Sequence, residues 1–220
     1  HTTVITSSES SWMFYTDGEA STEQGSLSGK NQGHWYDGLV NPEYVTIGAA
    51  TNGSGDFKAA AFNGRLAQLM IFDRVLSAEQ IKLDWQDISK LDGLQFWLDA
   101  ADLDANPETP NPNAGEDVKI WKDKVSGVEL STMGDERVPQ LAALPQSTTP
   151  AVVFEDDFLR GSTEGLPFLD SKEGTIVTVF SSQDDDESYL FEVGGQGQFM
   201  TTFVNPVASG ENAIDKIIAD

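Results

Sequence analysis

Residues 62–85, FNGRLAQLMIFDRVLSAEQIKLDW, and residues 93–102, GLQFWLDAAD, decide how this chain is read. The first stretch holds a long apolar strand at 64–72. Ala67, Leu69 and Ile71 face one way and Leu66, Met70 and Phe72 the other. Apolar residues on both faces predict a strand covered on both sides. Ser77-Ala78-Glu79-Gln80 then has the spacing of a capping box, in which Ser accepts from the third helical N–H and Gln reaches back. Ile81, with Trp85 four residues on, supplies the buried stripe of a short helix. In the second stretch Leu94, Phe96 and Leu98 alternate, the period of a half-buried strand. A unit that closes on a helix therefore runs almost directly into a unit that opens on a strand.

The rest of the chain repeats the β habit. A strand at 12–16 places Trp12 and Phe14 on one face, and Asp17-Gly18 turns the chain. The polar stretch 19–33 reads as a surface loop, and 44–49 as a strand with Val45, Ile47 and Ala49 alternating. Residues 51–61 form a second loop. The proline-rich stretch 104–117 is a third, since proline interrupts both helices and ladders. Strands follow at 118–121, 150–154 and 174–180, and a hairpin spans 189–204 around GGQG. The tail NAIDKIIAD, 212–220, is read as a second short helix. Many short strands, turn-rich connections and little helix predict an all-β protein, an antiparallel β-sandwich with one or two short helices.

Composition narrows the partners. Lys and Arg number 13 against 36 Asp and Glu in 220 residues, a formal charge of −23. Such a chain repels nucleic acid and anionic membranes, and suits salt or divalent cations. The absence of cysteine excludes disulfides and thiolate metal sites and favours a prokaryotic source. No stretch approaches the roughly 20 apolar residues of a membrane-spanning helix. The start at His1, without a signal-like segment, reads as a processing product or a fragment edge.

Taken together, the pieces resemble the concanavalin A-like, laminin-G-type jelly rolls. Residues 62–81 are similar to the family's closing motif: a Phe-x-Gly turn, an apolar strand, then Leu-Ser and a helix. Residues 12–19, WMFYTDGE, and 44–49, YVTIGA, look like its central strands. Residues 93–103, 118–127 (VKIWKDKVSG) and 150–159 (PAVVFEDDFL) are similar to its opening. The order is reversed: residues 1–88 resemble the C-terminal half of such a jelly roll, and 91–220 the N-terminal half. Three arrangements fit: a permuted domain, a window on a tandem array, or halves exchanged between chains. A lone half would expose apolar faces and strand edges.

Catalytic chemistry has little footing. Only two histidines are present, and His34 lacks the surroundings of a nucleophile triad. No paired-carboxylate strand motif of a glycosidase occurs. Arg65 and Lys58 are too few for a phosphate site. The expected function is non-catalytic: an extracellular or cell-surface module, prokaryotic, that binds a glycan or cell-surface ligand, or else copies of itself in a filament or sheath. His34, Trp35 and Tyr36 in the GHWYDG loop are the candidate ligand contacts, with a core plug as the alternative for Trp35. Asp184 and Asp186 are the candidate calcium ligands, a metal the resemblance also implies at one rim. Asp102, Asp104 and Asn106, or Asp56, could serve instead, and a solvated charge run is the bland alternative.

Overall fold

The computed structural model describes the chain apart from residues 9–10, 22–25, 30–34, 52–56, 60, 135–136, 184–187, 196–197, 207–211 and 220. Side chains of 26–29, 51, 57–59, 198–199, 201–206 and 212–219 also fall outside the described set. Among the described residues the chain is an all-β sandwich of two sheets with two short helices.

In chain order the strands are β1 (Thr2–Ser8), β2 (Ser11–Thr16), β3 (Glu19–Ala20), β4 (Ser26–Gly29) and β5 (Tyr44–Ile47). A small hairpin follows, β6 (Ala50–Thr51) and β7 (Phe57–Ala59), and then β8 (Gly64–Phe72). Helices α1 (Ala78–Ile81) and α2 (Trp85–Ile88) separate β8 from β9 (Leu94–Asp99). Next come β10 (Ile120–Lys122), β11 (Glu129–Ser131), β12 (Gln140–Ala143), β13 (Pro150–Phe154) and β14 (Leu159–Ser162). The last four are β15 (Glu173–Ser182), β16 (Ser188–Gly195), β17 (Gln198–Pro206) and β18 (Asn212–Ala219).

The first sheet runs β12-β13-β8-β15-β1-β2-β3, with β9 also paired to β8. The second runs β10-β11-β14-β5-β16-β17-β18-β4. Among the described residues the strands pair antiparallel except β18 with β4 at one edge, and an isolated parallel bridge joins Ala61 to Tyr189. Strands from 1–88 are inserted among strands from 91–220 in both sheets: β8 lies between β13 and β15, and β5 between β14 and β16. The strand that ends one unit and the strand that opens the next, β8 and β9, are antiparallel neighbours.

The interior is one contiguous cluster. It includes Ile5, Phe14, Val45, Ile47, Leu66, Leu69, Ile71, Phe96, Leu98, Trp121, Phe154, Ile176 and Phe191. Each buried side chain of this size stabilises the fold by roughly 1.5–3 kcal/mol relative to exposure. The strict alternation expected for 64–72 is interrupted. Val179 pairs with Gln68 but Phe180 with Leu66, so Ala67 is a bulge. Leu66, Leu69 and Ile71 consequently point inward, while Ala67, Met70 and Phe72 join clusters on the outer face. One extra residue moved Ala67 and Leu66 to the faces opposite those the alternation gave them.

The outer face of the first sheet is covered at one end. Val4, Met70, Phe72 and Val177 pack beneath Leu76, Ile81 and Ile88, with Trp85 and Leu91 alongside. The capping box forms as the sequence predicts: Ser77 Oγ accepts from Gln80 N at 3.3 Å, and Gln80 Oε1 accepts from Ser77 N at 3.0 Å. The predicted single helix is two, because Asp84 adopts an extended backbone and caps α2. Residues 212–219 are a strand and not the predicted helix. Pairing with β17 on one side and β4 on the other, together with three β-branched isoleucines, overrides their helical reading. Parts of the predicted loops 19–33 and 51–61 also hold short strands: β4 pairs with the distant β18, while β3 and β7 pair with their neighbours β2 and β6.

Candidate functional site

At the other end the outer face of the first sheet is open. A cleft of about 430 Å³ is lined by Arg65, Gln140, Val153, Glu155 and Asp157. Its floor follows from register: Gln140 on β12 faces Val153 on β13, and Val153 faces Arg65 on β8. Among the described residues, the side chains of Arg65, Gln140 and Glu155 form no hydrogen bond or ion pair. A guanidinium, an amide and a carboxylate thus converge on the cleft with their hydrogen-bonding capacity unused.

The walls are fixed in advance. On one side, Asn113 N and Nδ2 donate to the two oxygens of Glu116, 2.8 and 3.0 Å away. Gly115, in the left-handed region with φ of 86°, donates its N–H to Leu141 O at 2.7 Å. On the other side, Arg137 Nη1 donates to Asp156 O at 2.8 Å, and Asp156 N donates to Asn63 Oδ1 at 3.1 Å. Asp157 Oδ2 accepts from Glu155 N at 3.0 Å. Burial, with repulsion from Glu155 and Asp156, holds the Asp157 carboxyl above the usual carboxylate value, against the opposing pull of that backbone N–H and of Arg137.

A polar network borders the covered end. Trp97 Nε1 donates to Gln68 Oε1 at 2.6 Å, and Gln68 Nε2 to Asp99 Oδ1 at 2.5 Å. The Lys124 ammonium bridges Asp102 Oδ2 at 2.8 Å and Asp99 Oδ2 at 3.1 Å, 4.3 Å from the centre of the Trp97 ring. Burial acts to lower its pKa, but its hydrogen bonds to Asp102 and Asp99 outweigh that and hold it above the ordinary value. Asp123 Oδ1 accepts from Trp97 N at 2.6 Å, and Lys124 N donates to Trp97 O at 2.9 Å. The free edge of β9 is thereby closed.

The predicted site residues lie elsewhere. Trp35 and Tyr36 are buried, 0% and 1% exposed, so the expected ligand contact gives way to the core plug. A 3₁₀ turn at Tyr36–Gly38 folds the loop inward, and the rings stack among Trp12, Phe168 and Phe191. Burial pushes the Tyr36 phenol well above its usual value. His34, Asp56, Asp184 and Asp186 lie outside the described residues. Asp102 and Asp104 are engaged locally: both accept from Asn106 N, at 2.8 and 3.1 Å, and Lys124 holds the cation position beside Asp102. Among the described residues no three acidic or histidine side chains converge on a metal position.

Two features escaped the sequence. The cleft joins residues from 65, 138–142 and 153–157, which no local spacing connects. Glu192, 1% exposed, sits on the outer face of the second sheet in register with Thr46, which faces Arg160. An acid inside an otherwise apolar strand was its only signal. Neither a family model, nor a curated protein, nor a solved structure matches the chain.

Proposed function

We propose that this protein is a non-catalytic extracellular module that binds a glycan or another hydroxyl-rich surface molecule through the Arg65 cleft. The observation that carries this reading is the set of unpartnered groups there: Arg65 as donor, Glu155 as acceptor, and Gln140 as both. A hydroxyl donates and accepts at once, so a sugar answers such a mixed lining better than an apolar ligand does. Glu155 and Asp157 come from one turn and so approach from one side. Glycoside hydrolysis needs carboxylates flanking the bond, which favours binding over cleavage.

The neighbouring, antiparallel β8 and β9 support a laminin-G-type jelly roll in permuted order, since strands of closing and opening type meet in one sheet. Pairing of both halves within one chain favours this over exchange between chains. A glycan array, run with and without calcium, tests the reading. Arg65→Ala is expected to abolish binding and leave the melting temperature within about 2 °C of the parent. Binding by no glycan, or undiminished binding by the variant, would sink it.

A further inference from the structure

We infer that the Arg65 cleft selects hydroxyl-rich ligands carrying a free ammonium group, the chemistry of an unacetylated amino sugar. This rests on the glycan-binding reading above. Three successive carboxylates, Glu155, Asp156 and Asp157, form the turn that bounds the cleft, and among the described residues only the guanidinium of Arg65 lines it as a cation. Arg137 engages the backbone of that turn through Asp156 O.

A neutral sugar seated here would remove Asp157 from water with no charge in compensation. An ammonium against Glu155 and Asp157 supplies that charge and relieves their mutual repulsion. The hydroxyl groups of the same ligand remain for Arg65 and Gln140. A bare divalent ion fits poorly, because it needs several oxygen ligands around it and Glu155 and Asp157 approach from one side only. Polyanionic sugars meet a chain of formal charge −23.

The test is titration calorimetry on the full chain near pH 6, in about 0.15 M salt to screen the general attraction of an acidic protein for cations. Four probes are compared: a glucosamine oligomer, its N-acetylated counterpart, a neutral glucose oligomer and a simple diamine. The glucosamine oligomer is expected to bind at least about tenfold more tightly than each of the others. Glu155→Gln and Asp157→Asn should each reduce that preference severalfold. Glu164→Gln, an equal change of charge on an exposed residue outside the cleft, should leave it intact. Thermal melting of each variant separates a binding loss from an unfolded protein. Equal affinity for the acetylated or neutral oligomer overturns the ammonium preference while leaving glycan binding standing. A diamine that binds as tightly as the amino sugar overturns it too, by reducing the effect to charge alone. Absence of binding by every sugar ends both readings together.

Discussion

The two ends of one sheet face are finished in opposite ways. Toward Phe72, the outer face of β8 is apolar and lies under α1 and α2. Toward Arg65, the same face of the same strand is polar and open. Ala67, Ala151 and Val179 lie between, beneath Trp85 and Leu144. The chain itself explains the difference. Helices follow Phe72 within a few residues and fold back over the strand they have just left. Arg65, by contrast, cannot be buried without a partner, and among the described residues none is provided. Covering thus follows the residue types along a single strand.

The largest test of this contrast is Phe72→Ala. Phe72 is fully buried beneath the helices, and its truncation should cost about 3–5 kcal/mol in denaturant unfolding. Val153→Ala at the open end should cost less than about 1.5 kcal/mol. Equal losses would mean that the two ends are covered alike.

Next is the network at the boundary. Lys124→Ala would leave Asp99 and Asp102, 8% and 10% exposed at their side chains, without their cation. A loss of about 3 kcal/mol is expected at neutral pH. The pH dependence has a definite sign. The Lys124 pKa is raised on folding, so its contribution is complete below the ordinary lysine value of 10.5. It is lost as the pH rises through the higher folded value, and the variant should lack that alkaline decline.

The smallest effect belongs to the cleft and has the opposite sign. Burial raises the Asp157 pKa, so the ionised carboxylate opposes folding at neutral pH. Asp157→Asn should raise the melting temperature slightly at pH 7. The gain should shrink as the pH falls through the raised pKa, where the parent becomes neutral as well. A variant that melts lower at pH 7 would remove the argument that Asp157 awaits a cation.

The covered end was far more legible than the open one. Capping box, apolar strand and following strand are local patterns, and Ser77, Gln80, Phe96 and Leu98 behave as their spacing dictates. The bulge at Ala67 was hidden, because a period of two carries no mark of an inserted residue. Residues 212–219 were misread because their state depends on β17 and β4, and not on themselves. Trp35 and Tyr36 looked like exposed rings on a glycine-flanked loop, yet Gly174 leaves the space into which Trp35 packs. The cleft is a meeting of three distant segments, and register across β12, β13 and β8 is what assembles it.

The pairing of β1 with β15 has a consequence for how the chain folds. Thr2 lies opposite Val179, whereas Phe72 lies opposite Leu94 across a short helical connection. Closing the long loop costs more conformational entropy and comes late. The β8–helix–β9 unit can form early, as a local nucleus with its own apolar cover. During synthesis β1 can pair at once with β2, but its other edge must wait for β15 until some 170 further residues have followed it. A strand edge left open for that long invites pairing with other chains, and the threonines and serines around Val4 and Ile5 temper that hazard.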